Sequence, residues 1–376
     1  MPLDGILGCG RIAIIKFIFM SKKNFAVVYT VKNESRLLPS AIEYYLAAGC
    51  SRIYIFFDGT TDNTRDIVGD YDGVRLNESI RPNNLADLPS WITQIVPWWE
   101  TDMDVRKRIN TYFATKSAFS DGIEWVLCVD PDEIMVPNIN TKININLIPD
   151  FLEKIPEDVD QILVRNLELI PTVAELNNPF KSSAIFLNRF PMTELFWRYS
   201  SALMRRLLGS PRLHAWYDYL FYRLRFFNAL PRLMVHPVSK EKIPASYFLG
   251  YSNHKSFVRS SFYGDYNFVV HKWVKYKSSP KNMFCGFLLH YDLFDYKYMV
   301  SKFGQRSESM LLVVFYFRYM LASVARETSL DQAKEFFLKY IAITDRKRID
   351  VLLRKKIVVE VKIISEFFDS IGKKKY

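Results

Sequence analysis

Cysteine is scarce in this chain: Cys9, Cys50, Cys128 and Cys285 are scattered along 376 residues. No two have the spacing of a zinc site, and no framework of bridges is implied, so a reducing compartment is the expected setting. Long apolar runs are missing as well. The longest, Met310 to Phe317, meets Arg318 before reaching half of the about 20 residues that cross a bilayer. The run Ile12 to Met20 is similarly short, contains Lys16 and lacks a small-residue cleavage site, which argues against a signal peptide. There is no zinc module, RNP-like segment or evident recognition helix, so nucleic acid is not an expected partner. Internal repeats and low-complexity tracts are also absent.

What is present begins with charge and aromatics. A net charge of +11 favours anionic partners, with a nucleotide diphosphate and an acidic membrane surface as the two supported classes. The aromatic share of 15% within a hydrophobic fraction of 49% gives a core rich in Phe and Tyr, residues that also stack on sugar or nucleobase faces. The Lys373-Lys374-Lys375 tail reads as a solvated, frayed end. Segments 310–326 and 333–365 combine large apolar residues with Arg and Lys. Packing of their apolar faces on the rest of the chain is favoured over lying on acidic lipid, which stays open.

Chemistry concentrates at three strand ends. The apolar run Trp125 to Val129 drops into Asp130-Pro131-Asp132-Glu133, three carboxylates at the mouth of a buried strand. Acids of one sign repel and are costly to desolvate, so such a cluster calls for a divalent cation or strong hydrogen-bonding partners; capping of the next turn is the plainer alternative. Phe25 to Glu34 is a β-rich run ending in polar residues, and Arg52 to Thr64 stops at Asp58-Gly59 and opens into a Thr/Asp/Asn turn. Between them, Leu38, Ile42, Tyr45 and Leu46 fall at helical intervals before Gly49, which makes a βαβ unit. Ligands of open α/β sheets bind at the carboxyl ends of the strands, so the three ends describe one site.

With these motifs in order, the chain resembles the glycosyltransferases of the family 2 type, and within them the branch related to family 92. The residues that carry the likeness are Asn33-Glu34, then Asp58-Gly59-Thr60-Thr61-Asp62-Asn63-Thr64, then Trp125 through Asp130-Pro131-Asp132-Glu133. It continues through His254-Lys255-Ser256, His271, His290-Tyr291 and Lys302, over residues 25–305. Two departures bear on donor identity and pyrophosphate contacts. Many relatives carry a glutamine where Arg106-Lys107-Arg108 stand here, and Pro131 fills the variable slot of the acidic motif.

The resemblance implies an α/β, GT-A-like nucleotide-diphospho-sugar transferase fold, a Rossmann-like mostly parallel sheet flanked by helices. The expected divisions are a basic lead over 1–24, a transferase domain over 25–305 whose nucleotide-binding half is 25–135 and acceptor-facing half 136–305, and a C-terminal helical extension over 306–376. Residues 83–104, rich in Pro and Trp, are expected to form an irregular loop beside the donor site. The implied activity is that of a hexosyltransferase-class enzyme moving sugar from a nucleotide-diphosphate donor to a glycan or lipid-linked acceptor, inverting and dependent on Mn2+ or Mg2+, in surface polysaccharide or glycoconjugate synthesis. Asp132 is the first choice for the metal, Asp130 reaches ribose or metal, Glu133 orients the loop, and His290 and His271 could complete the shell. Thr30, Asn33, Glu34, Asp58 and Gly59 would line the donor, with Asp62 and Thr64 ranked second as turn and cap residues. Arg106, Arg108 and Lys255 could meet diphosphate, although residues 106–108 cannot all face one way on a helix. Asp265 and Asp218 are the candidates for the base. Two other readings are nucleotidyl transfer, which would want a glycine-rich basic loop that Tyr29 to Ser35 lacks, and a non-catalytic, membrane-peripheral glycan-binding protein. The expected location is cytoplasmic, with the inner face of a membrane left open.

Overall fold

The computed structural model describes residues 23–68, 71–84, 87–182, 184–188, 233–244, 254–262, 266–275, 280–305 and 316–372, with isolated positions between 199 and 216. The first half alternates strand and helix: β1 (Phe25–Val31), α1 (Leu38–Ala47), β2 (Arg52–Phe57), α2 (Thr64–Val68) and β3 (Val74–Glu78). Then come α3 (Ser90–Ile95), α4 (Met103–Ser120) and β4 (Trp125–Cys128). β1 lies between β2 and β4 and runs parallel to both, and β3 continues the sheet beyond β2.

Side-chain alternation along these strands feeds two cores. Phe25, Val27 and Tyr29 of β1, with Ile53 and Ile55 of β2 and Trp125 and Leu127 of β4, join Leu38, Ala41, Ile42 and Tyr45 of α1. Their neighbours Ala26, Val28, Tyr54, Phe56, Val126 and Cys128 face the other way, onto Val105, Ile109 and Ala118 of α4. A strand buried on both faces reads as continuous apolar sequence, which is why FAVVYTV shows no polar alternation. Gly49 ends the α1 turn at φ 97°, and a Cβ there would lie 2.1 Å from the Ile145 carbonyl oxygen.

The second half makes the sheet mixed. β5 (Glu133–Val136), α5 (Leu147–Leu152), β6 (Gln161–Ile170) and β7 (Ala184–Leu187) precede the short pair β8 (Leu233–Val235) and β9 (Lys242–Pro244). β10 (Lys255–Arg259) runs antiparallel between β4 and β6. The pair β11 (Tyr266–Phe268) and β12 (Trp273–Lys275) forms a separate hairpin, and β13 (Asn282–His290) pairs parallel with β6 and antiparallel with β5. The chain closes with α6 (Tyr296–Gly304), α7 (Tyr316–Glu327), α8 (Leu330–Tyr340), α9 (Arg346–Arg354), β14 (Val358–Val361) and α10 (Ile363–Gly372). The α/β class is as expected, with α1 and α4 on opposite faces, but the sheet is mixed rather than mostly parallel, because β5, β7, β10 and β14 pair antiparallel with their neighbours.

Two local readings differ from expectation. Residues 83–104 contain α3 followed by a 3-10 turn, because Trp91 and Ile92 bury against α4, with the Trp91 and Tyr112 rings 5.9 Å apart. The segment after 306 is not helical throughout: β14 pairs antiparallel with β7 and extends the sheet. The apolar faces of α7, α8 and α9 are taken up in a second core through Phe317, Met320, Leu321, Phe336, Phe337, Ile349 and Leu352. No described helix is long and apolar enough to cross a membrane.

Candidate active site

The acidic tetrad is the turn between β4 and β5. The Glu133 amide donates to the Asp130 carbonyl at 2.9 Å, which puts Pro131 at the position where its fixed φ favours a tight turn. The Asp130 amide in turn donates to Glu133 Oε2 at 2.8 Å, so Glu133 braces the turn. The turn separates its two aspartates by partner. Asp130 accepts from Lys107 on α4 and, at 2.8 Å, from Lys255 at the start of β10. Against the opposing effect of burial, these two ammoniums hold its carboxyl well below the usual range.

Asp132 turns to a different set. Its Oδ2 lies 2.5 Å from Lys302 Nζ, 3.3 Å from the Tyr298 hydroxyl and 3.6 Å from His290 Nε2. His290 is the last residue of β13, where the ladder sets Glu133 of β5 on one side and Glu168 of β6 on the other. Its Nδ1 lies 2.9 Å from Glu168 Oε2, which fixes the ring and aims Nε2 at Asp132. Although burial opposes it, the Glu168 and Asp132 carboxylates hold the imidazole pKa well above its ordinary value. Two residues on, Asp292 enters the same hollow, and the ligand atoms of Asp132, His290 and Asp292 lie within 4.8 Å of one another, all three residues buried. Two carboxylates and an imidazole oriented by a third carboxylate are a set that could hold a metal ion.

Helix α6 delivers the cation that sits there. Asp295 caps it, accepting from the Tyr298 amide at 2.7 Å, and Arg36 clamps the Asp295 carboxylate at 2.6 and 3.2 Å. Tyr298 and Lys302, one turn apart, then face the same hollow. The Lys302 ammonium contacts Asp132 and Asp292 together, and Arg318 Nη2 lies 3.9 Å from the far oxygen of Asp292.

The β1 and β2 ends form the adjoining wall. Asn33, at φ 57°, accepts the amides of Thr61 at 2.8 Å and Asp62 at 3.2 Å and so organises the turn after Gly59. Asp62 accepts the Thr64 amide at 3.0 Å and starts α2; burial works against it, but hydrogen bonds from Thr64 and Ser35 lower its pKa. Thr30 Oγ1 accepts from Asn110 at 3.2 Å. Asp58 is gripped by Arg106 through both oxygens, at 2.5 and 3.0 Å. Glu34 lies nearest the acidic hollow: its Oε2 is buried with no hydrogen-bond partner among the described residues, and burial, then the Asp132 charge, raise its pKa well above the usual range.

The hollow therefore gathers Glu34, Asp130, Asp132, Lys255 and His290 of the residues expected from sequence. It does not unite the four expected metal ligands. Asp130 is engaged by two lysines, and His271, in the β11–β12 turn, stands outside the Asp132–His290–Asp292 group. Arg108 points away, donating to the Phe268 carbonyl at 2.7 Å and to Asn267 at 2.9 Å, because residues 106, 107 and 108 leave α4 in different directions. Asp218 and Asp265 lie outside the described residues. Sequence reasoning missed Asp292, Glu168 and Tyr298. Asp292 follows His290 at the spacing of two that keeps side chains on one face of an extended chain, a signal that was present in FLLHYD. Nothing local singles out Glu168, whose role arises from the β6–β13 pairing.

No known protein-family profile matches the chain. It is 21% identical over 345 residues to a glycosyltransferase-like protein of Arabidopsis thaliana, an overlap of 85% of this chain and 66% of the plant protein. The chain resembles a glycosyltransferase-like protein. It spans just under two thirds of that relative's length. Among solved structures, it overlaps glucosyl-3-phosphoglycerate synthase of Mycobacterium tuberculosis, seen with Mn2+, uridine diphosphate and phosphoglyceric acid. That overlap has 17% identity and a TM-score of 0.24, covering 39% of this chain and 43% of the synthase. A mycobacterial protein overlaps at 16% identity, TM-score 0.24, covering 39% of this chain and 41% of that one. Overlaps this low add nothing to the fold, which rests on the strand order above.

Proposed function

We propose that the chain is a glycosyltransferase that moves a sugar from a nucleotide-diphosphate donor to a glycan or lipid-linked acceptor, with inversion and with the help of Mn2+ or Mg2+. The supporting observation is the convergence of the β1, β2 and β4 ends on one hollow that also holds the buried Asp132–His290–Asp292 group. The plant relative's description agrees with it.

In this reading Asp132, His290 and Asp292 would hold the ion. When bound, the ion would neutralise charge building on the departing diphosphate. Glu168 keeps His290 aimed, and Glu133 keeps the Asp130–Asp132 turn in shape. Lys107 and Lys255 supply positive charge beside the turn, where a diphosphate would lie. Glu34, whose pKa burial and then the Asp132 charge raise, would in its neutral form donate as well as accept a hydrogen bond toward a base or ribose. Thr30, Asn33, Asp58, Gly59 and Arg106 shape that wall. Asp265 and Asp218 remain our candidates for the base that deprotonates the acceptor hydroxyl. The division of 25–305 into donor and acceptor halves belongs to the same proposal.

The test is a screen of nucleotide sugars with Mn2+ and then Mg2+, reading nucleoside diphosphate release. Asp132→Ala is expected to lower turnover by at least about a hundredfold, in the range lost when an electrostatic stabiliser of the reaction is removed. Release of pyrophosphate instead would identify nucleotidyl transfer, and metal-independent glycan binding without turnover would identify a binding protein.

A further inference from the structure

We propose that Lys302 is the resident cation of the acidic hollow and competes with the divalent ion for the same two carboxylates, so that metal enters only by displacing the lysine ammonium. The inference deepens the metal-dependent reading above and rests on it.

The geometry is that of a shared position. Lys302 Nζ lies 2.5 Å from Asp132 Oδ2 and also contacts Asp292 Oδ1. Asp132 and Asp292 are two of the three residues whose ligand atoms lie within 4.8 Å of one another. A divalent ion held by Asp132 and Asp292 would need the carboxylates that Lys302 now occupies, and a monovalent and a divalent cation sharing them would repel strongly. One of them must leave.

The surroundings show which can. Asp132 and Asp292 have side-chain exposures of only 2% and 1%, while Lys302 keeps 18%. Lys302 sits in the last turn of α6, and its four-carbon stem can carry the ammonium outward without moving the backbone. Without metal, the ammonium is held by both carboxylates and by the face of Tyr298, 5.3 Å from the ring centroid. That arrangement helps two buried aspartates coexist beside Glu34 and Glu168: with His290 and Arg318, the lysine supplies the compensation that buried like charges require. It also makes metal affinity the difference between two cations rather than the full strength of the ligand set.

Mn2+ titration of the purified full chain by calorimetry, without nucleotide, decides the matter. Lys302→Met and Lys302→Gln are expected to bind Mn2+ at least about tenfold more tightly than the unsubstituted protein, the lower end of what neighbours of metal ligands control. In chelator both variants are expected to melt below the unsubstituted protein, and Mn2+ is expected to raise their Tm by more than it raises its own. Asp292→Asn is expected to weaken Mn2+ binding. Equal or weaker affinity in both lysine variants, with binding still weakened in Asp292→Asn, would overturn the competition and leave the metal site standing. No Mn2+ binding by any of the four proteins would overturn both.

Discussion

At the scale of single residues, the hollow assigns different protonation states to neighbouring acids. Asp130 and Asp132 face ammonium groups that lower their pKa, whereas Glu34 has a buried oxygen with no hydrogen-bond partner among the described residues and is pushed toward the neutral acid by burial and by Asp132. Environments that drive nearby carboxyls apart are how one site obtains both acceptors and donors. The consequence is measurable. Glu34→Gln keeps a neutral group that donates and accepts, so its kcat/KM for the donor is expected to stay within a few-fold of the unsubstituted value. Glu34→Ala removes the group and is expected to lose about tenfold, equivalent to about 1.4 kcal/mol. Steady-state kinetics with donor varied would show it. If Gln and Ala fall equally, the working form of Glu34 is the carboxylate.

At the scale of elements, the β11–β12 hairpin carries a histidine whose protonation its surroundings oppose. His271 sits in its turn beside Val270, whose φ of 61° is uncommon for a β-branched residue. Burial, then the charges of Lys255 and Lys107, push the imidazole down to about 3. An unfolded histidine titrates near about 6.5, so between those values the unfolded chain binds a proton that the folded chain refuses. Stability is therefore expected to fall as pH drops below about 6.5, and His271→Gln is expected to flatten that part of a Tm-against-pH profile. Parallel profiles for the two proteins would remove His271 as the cause. The hairpin also shows what sequence could and could not disclose. The ends of β1, β2 and β4 were legible because each couples a continuous apolar run to a turn-forming acid or amide within a few residues. His271 also follows an apolar run, Phe268 to Val270, but the two lysine charges that act on it come from α4 and β10, which no local pattern brings near it. Glu168 joins the site only through the β6–β13 pairing, over a separation that no local pattern reports.

At the scale of the molecule, the C-terminal segment is part of the main core. Val361, Ile363, Ile364 and Phe368 belong to the same buried cluster as Phe25 and Val27 of the central strand. Phe368 stacks on Phe180 with centroids 6.3 Å apart, and Phe367 meets Tyr44 of α1 edge-on at 6.3 Å. The run VVEV was too short to read as a strand from sequence, and its partner β7 lies far upstream. If the segment were an independent cap, disturbing it would leave the sheet and its hollow intact. Because Phe368 is only 4% exposed within the shared core, its loss opens a cavity in the body that carries the site. Phe368→Ala is therefore expected to destabilise the whole fold by about 3–5 kcal/mol, as aromatic-to-alanine changes in a packed core do. Denaturant unfolding followed by tryptophan fluorescence and by far-ultraviolet circular dichroism should give one shifted transition seen alike by both probes. Two separated transitions, with the first confined to a small loss of helical signal, would show instead that the C-terminal layer folds on its own.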